Sequence, residues 1–149
     1  LNKYGITEIT VNLHTHPKKI MQYFGNKLNY FYEPELLGTA GSIKNVGNWF
    51  SDPFLVFNGD TLMELNIENF AANFKMNGAS AMVSINADTK HCSGAYIFRK
   101  DFLKVLPKQG MIDDILAKFP HQKYYSHYKY FDCGTKAKLT KARRYFKND

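Results

Sequence analysis

Cysteine, tryptophan and acid are the scarce ingredients of this 149-residue chain. The two cysteines, Cys92 and Cys133, form neither a metal-type spacing nor a disulfide framework, so free, mostly buried thiols in a reducing compartment are expected. Long apolar runs are missing as well. None approaches the roughly 18 consecutive residues that a membrane helix needs, and the start of the chain lacks the basic-then-apolar layout of a secretion signal. The expectation is a soluble cytoplasmic protein with no membrane partner. No repeat, linker or low-complexity segment interrupts the chain, and 149 residues suffice for one domain with a real core.

Acid is short by 13 to 20 against Lys and Arg, a formal charge of +7 that favours a polyanionic partner: phosphate, nucleotide or nucleic acid. Much of the excess lies in TKAKLTKARRYFKND. There Lys136, Lys138, Lys141, Arg143, Arg144 and Lys147 surround Leu139, Ala142 and Phe146 at helical spacing. A solvated face of a terminal helix explains that pattern, and no nucleic-acid recognition motif accompanies it.

What the chain does have is alternation. ITEITVNL (6–13) reads as a strand and PKKIMQYF as a helix entered at Pro17 and stopped at Gly25. LNYFYE is a second strand, AGSIKNVGNWF a helix, PFLVFNGD a buried strand, IENFAANFKMNG a helix closed by Gly78, and ASAMVSIN another strand. SGAYIF and the aromatic KYYSHYKYFD continue as strands, DFLKVL and MIDDILAKF as short helices. This βαβαβαβ rhythm predicts an α/β fold with a mostly parallel sheet covered by helices, whose ligands gather beyond the carboxyl ends of the strands.

Three features sit at such ends. Glu33 precedes the loop Leu37, Gly38, Thr39, Ala40, Gly41, where glycine lets backbone approach a ligand and a following helix start offers amides to an anion or a base edge. Taken alone, such a loop is more often a plain helix entry than a ligand-binding loop. Asp60 closes Asn58-Gly59-Asp60 and reads either as a turn residue or as a metal ligand; Asp132 precedes Gly134-Thr135 and reads either as a ligand or as the cap of the last helix. Together the two aspartates suit a hard cation over a phosphate-binding crevice. His14 and His16 lack a third ligand and are read as shaping the turn into the first helix, Lys18, Lys19 and Lys44 as surface charges, and the aromatic clusters as core.

In order, GITEITVNL, EPELLGTAG, FLVFNGD, SGAYIF and YFDCGTKAKL make the chain similar, nearly end to end, to the sugar-1-phosphate nucleotidylyltransferases, especially the mannose-1-phosphate guanylyltransferase-like branch. The resemblance implies a Rossmann-like nucleotidyltransferase fold and transfer of a nucleoside monophosphate from a nucleoside triphosphate, GTP here, to a hexose 1-phosphate, with release of pyrophosphate. It implies Mg2+ held by Asp60 and Asp132 as the catalytic and metal-binding pair. Leu37 to Gly41 would lie against base and ribose, and Asn58, Gly59 and Gly94 would line the sugar pocket. Glu33 would meet the base edge, where an acceptor-only carboxylate suits the adjacent donors of guanine better than uracil.

Two family segments have no counterpart: the Gly-rich triphosphate loop, since the sequence opens at Leu1 after it, and an excursion between AMVSINADTKH and CSGAYIF. The expectation is therefore a single, incomplete domain over 1–149, truncated at the N-terminus and inactive alone, whose exposed sheet edge self-association would cover. A non-catalytic nucleotide-sugar-binding or assembly domain is the alternative reading.

Overall fold

The computed structural model describes residues 1–146, the side chain of Asn2 excepted; Lys147 of the basic run lies outside them. In chain order the regular elements are β1 (Thr10–Leu13), α1 (Pro17–Phe24), β2 (Asn29–Tyr32), α2 (Gly38–Val46), β3 (Phe54–Phe57), β4 (Thr61–Met63), α3 (Ile67–Asn77), β5 (Ala81–Asn86), β6 (Cys92–Phe98), α4 (Ile112–Leu116), β7 (Gln122–Ser126), β8 (Tyr130–Asp132) and α5 (Lys136–Tyr145). Short 3-10 turns fill Gly47–Trp49 and Lys100–Val105. The chain divides into two compact units, each assembled from two separate stretches.

The first unit comprises Leu1–Ser51 and Lys100–Pro120. Its sheet is the parallel pair β1 and β2, with Thr10 opposite Asn29 and Leu13 opposite Tyr32. The ladder starts at Thr10, and the Ile9 carbonyl just before it accepts the Asn29 amide at 2.8 Å, so the first strand is shorter than the alternating pattern from Ile6 suggests. α1 starts at Pro17, whose fixed φ suits a first helical turn, and ends at Gly25. His16 occupies its N-cap in a left-handed conformation, the turn-shaping part expected of it. The buried apolar residues of this unit are Leu13, Ala40, Ile43 and Val46 with Phe102, Leu103, Leu106, Ile112 and Leu116. Lys44 is not the free surface charge its sequence suggests: its ammonium donates to the carbonyls of Leu103 at 3.2 Å and Leu106 at 2.6 Å, tying α2 to the 3-10 segment.

The second unit comprises Asp52–Arg99 and His121–Asp149, described to residue 146. Four strands run in the order β3-β6-β5-β7, and β4 and β8 form a separate antiparallel ribbon. β5 and β7 are parallel, while β6 runs antiparallel to both its neighbours, so the expected α/β architecture is built with mixed rather than uniformly parallel pairing. Asn66 caps α3 by accepting the Asn69 amide, and Gly78 in the left-handed region stops it. Phe70 and Phe74 of α3 pack with Leu65, Met82, Ala95 and Ile97, and the Arg99 guanidinium lies over the Phe74 ring. Every residue of β5 is buried, its polar members included: Ser84 is hydrogen-bonded to the Tyr128 hydroxyl, and Asn86 donates to the Tyr128 carbonyl. Cys92 and Cys133 are free thiols, half-buried rather than fully enclosed.

Candidate functional site

The glycine-rich loop belongs to the first unit, where a second loop staples it in place. The amide of Ala40 donates to the Gly110 carbonyl at 2.9 Å, the Gly110 amide to Leu37 at 2.8 Å, and the Ile112 amide to the Thr39 hydroxyl at 2.9 Å. Gly38 carries a φ of 69°, and a Cβ there would run into the Gly110 carbonyl, so glycine is required on both counts. Gly41 is equally confined, an added Cβ lying 2.5 Å from the Lys108 carbonyl oxygen. The first turn of α2 thus spends its Ala40 amide internally instead of offering it to a ligand.

Glu33 is the only charged residue among the buried ones described, 2% exposed. Its backbone is fixed by its own amide donating to Leu13 and by the His14 Nδ1–H donating to its carbonyl at 2.8 Å. Its carboxylate receives one long side-chain bond, from the Asn12 amide at 3.4 Å, and the same amide reaches Ser42 Oγ. A buried carboxylate with so thin a donor shell is costly, the kind of cost that folds retain at sites of function.

The remaining residues singled out in the sequence, Asn58, Gly59, Asp60, Gly94 and Asp132, belong to the second unit. Asn58 and Gly94 meet across the end of the β3·β6 ladder. The Asn58 amide donates to the Gly94 carbonyl at 2.8 Å, and the Asn58 side chain lies where a Gly94 Cβ would be, 2.5 Å from its Nδ2. With φ at +80°, Gly94 is doubly required. Gly59 sits exposed in the turn that delivers Asp60.

Asp60 and Asp132 converge because β4 and β8 pair. Thr61 stands opposite Asp132 in that ladder, and the Cys133 amide donates to the Asp60 carbonyl at 2.6 Å. An added Cβ at Gly134 would lie 3.0 Å from Asp60 Oδ2 and 3.2 Å from Asp132 Oδ1, so the two oxygens flank this glycine and are separated by no more than those distances together. Asp132 does not cap the last helix. Thr135 does so, accepting the Lys138 amide, while Asp132 Oδ1 accepts the Gly134 amide at 2.8 Å. The Lys138 ammonium donates to Asp132 Oδ2 at 2.6 Å. That hydrogen bond, followed by the one from Gly134, holds the Asp132 carboxyl below the usual range. Asp132 in turn raises the ammonium, with a smaller contribution from Asp60.

The donor set fits a hard divalent cation. It is all oxygen, the two carboxylates converge and are exposed, and the described residues contain no cluster of three His, Cys, Asp or Glu that would make a closed cage. Magnesium binds in this way, through one or two carboxylates with waters and substrate phosphates completing its shell.

No family model matches the chain. Over 126 residues it is 29% identical to the D-glycero-alpha-D-manno-heptose 1-phosphate guanylyltransferase of Campylobacter jejuni subsp. jejuni serotype O:2, covering 76% of this chain and 55% of that protein. An enzyme of the same description from Aneurinibacillus thermoaerophilus is 34% identical over 73 residues, 45% of this chain and 32% of its own length. The chain is thus similar in sequence to sugar-1-phosphate guanylyltransferases. It spans about half the length of the first of these relatives and about a third of the second. The fold is matched over 97% of this chain by the crystal structure of HddC from Yersinia pseudotuberculosis complexed with GMP-PN, with a TM-score of 0.82 at 23% identity and 81% of that chain covered.

The residue near the two aspartates that sequence reasoning passed over is Lys138. It was counted within the basic face of α5, yet it alone of that run is shown paired with Asp132. Its position on the first turn after the Thr135 cap, the helix start that directly follows the Asp132 loop, is the signal that could have found it.

Proposed function

We propose that the protein carrying this chain transfers a nucleoside monophosphate from GTP to a sugar 1-phosphate and releases pyrophosphate. The convergence of Asp60 and Asp132 around Gly134 carries the reading, since it is what separates a phosphate-handling site from a turn and a helix cap. Both curated relatives are named for a heptose 1-phosphate, which extends the acceptor class from the hexose 1-phosphates to their seven-carbon homologues.

In this reaction an oxygen of the sugar phosphate forms a bond to the α-phosphorus while the bond from that phosphorus to the pyrophosphate oxygen breaks. The nucleophile is already an anion, so no general base is needed, and alignment with charge neutralisation supplies the acceleration. Magnesium, when bound, would supply charge to the phosphate oxygens, and Asp60 and Asp132 are the residues that would hold it. Leu37 to Gly41 would lie along base and ribose, and Asn58, Gly59 and Gly94 would line the sugar. Glu33 would accept from the N1–H and N2–H of guanine, a pair of donors that its carboxylate lacks in the fold. A cytoplasmic setting would suit phosphorylated substrates.

The test is magnesium-dependent pyrophosphate release by the full-length protein from GTP and an aldose 1-phosphate, repeated with Asp60→Asn and Asp132→Asn. Both substitutions remove one acceptor charge at an exposed position, so melting temperature should hold while turnover falls at least a hundredfold. Wild-type turnover retained in either variant would refute the assignment.

A further inference from the structure

Lys138 stands on the first turn of α5, directly after the Thr135 cap, and its Nζ meets Asp132 Oδ2 at 2.6 Å. The other oxygen of the same carboxylate is fixed by the Gly134 amide at 2.8 Å, so Asp132 is held from both sides. Asp60 Oδ2 lies on the far flank of Gly134, and its charge also reaches the ammonium. The two aspartates and Lys138 therefore form a cluster of two negative charges and one positive. About half of each side chain in the Asp132–Lys138 pair is open to solvent, and a lysine stem is flexible, so the ammonium is free to leave.

We propose that Lys138 is the exchangeable counter-ion of the Asp60–Asp132 site: it balances the carboxylates while no divalent cation is bound, and it passes to a substrate phosphate when a cation takes Asp132. This rests on the reading of the two aspartates as the cation-binding pair. A dication and an ammonium repel each other, so they exclude one another at Asp132 Oδ2. The displaced ammonium stays tethered to α5, within a stem's length of the site. A phosphate arriving with the cation is the partner it then lacks, and lysine binds phosphate as a compact point charge. The exchange leaves the site near neutrality both with and without its ligands.

Such a residue has two opposite effects, which a merely solvated or structural lysine would not show. It weakens binding of the bare cation and strengthens binding of the cation together with a phosphate. The test uses the full-length protein with Lys138→Met, and Lys138→Gln as a second variant that retains polarity. Binding of Mn2+ alone is followed by the electron paramagnetic resonance signal of the free ion, and binding of inorganic pyrophosphate at saturating Mn2+ by calorimetry. Both variants should bind Mn2+ alone roughly two- to fivefold more tightly and pyrophosphate roughly two- to fivefold more weakly, the range expected for an exposed ion pair. Asp60→Asn and Asp132→Asn serve as controls. If they leave Mn2+ affinity unchanged, the cation-site reading falls and this inference with it. If they abolish Mn2+ binding while the Lys138 variants shift neither affinity, or shift both in the same direction, the cation site stands and the role given to Lys138 is overturned.

Discussion

Gly134→Ala isolates the convergence of the two carboxylates without removing either. The new Cβ would lie 3.0 Å from Asp60 Oδ2 and 3.2 Å from Asp132 Oδ1, inside the 3.4 Å at which ordinary contact begins, so each oxygen must retreat by a few tenths of an ångström. Both aspartates are exposed and can retreat. Gly134 is not in the left-handed region, so alanine is not strained there either. Stability should then change by no more than about 0.5 kcal/mol, as for other surface substitutions. Metal ligation is far less forgiving, since ligand distances hold to within about 0.2 Å. Displacing both donors should therefore weaken divalent-cation affinity about tenfold, the lower end of what supporting residues contribute around metal sites. The assay pairs a Mn2+ titration with thermal melting on the same preparation of the full-length protein. An affinity within twofold of wild type, with the fold intact, would show that the two oxygens flanking this glycine do not share an ion.

Three further substitutions probe other parts of the structure. Gly94→Ala combines a φ of +80° with a collision against the Asn58 side chain, and should cost about 1–3 kcal/mol in denaturant unfolding; a loss below 0.5 kcal/mol would mean the Asn58–Gly94 contact is loose. Tyr128→Phe strips the hydroxyl that lies 2.5 Å from both Ser84 and Ser93, two buried serines, and should cost about 1–3 kcal/mol by leaving them short of a partner. Burial raises the Tyr128 pKa above the ordinary tyrosine value of 10.0, so the folded state holds that proton more tightly than the unfolded state. Its stabilisation is complete below pH 10 and drains away above it, so the variant should lose less stability on passing into that alkaline range. Glu33→Gln should lower the GTP to UTP affinity ratio about tenfold or more in nucleotide titrations, because a carboxamide accepts and donates where a carboxylate only accepts. An unchanged ratio would leave Glu33 a purely internal partner of Asn12.

The elements that were legible in the sequence carried local signals strong enough to stand alone. α1 has Pro17 at its start and Gly25 at its end, α3 has Asn66 and Gly78, and β5 carries the apolar run Ala81, Met82 and Val83 followed by Ile85. The elements that were not legible depend on a distant partner. β4 is three residues long with Leu62 exposed, and exists only because Tyr130–Asp132 lies alongside it. The aromatic run that reads as one strand is two for the same reason: Gln122–Ser126 pairs in parallel with β5, whereas Tyr130–Asp132 turns away to β4. Continuous strand propensity cannot reveal a change of partner.

The candidate site obeys the same division. Both aspartates could be picked out because each follows an apolar strand and each sits in a motif shared with the nucleotidyltransferases, but neither motif contains the other. Their meeting is a property of the β4·β8 ladder, in which Thr61 opposite Asp132 brings the preceding Asp60 to the turn at Cys133 and Gly134. Since the ladder was not foreseen, neither was the part played by Gly134, whose missing Cβ leaves room between the carboxylates. Lys138 was hidden by its surroundings: in a helix with five other basic residues nearby, charge identifies none of them, and only the 2.6 Å contact with Asp132 distinguishes the one that answers the site. The proposed cation-binding pair, far apart in sequence, is thus brought together by the short antiparallel ribbon of β4 and β8, and substitutions that unpair Leu62 from Phe131 should separate the two carboxylates and weaken divalent-cation affinity in the same Mn2+ titration.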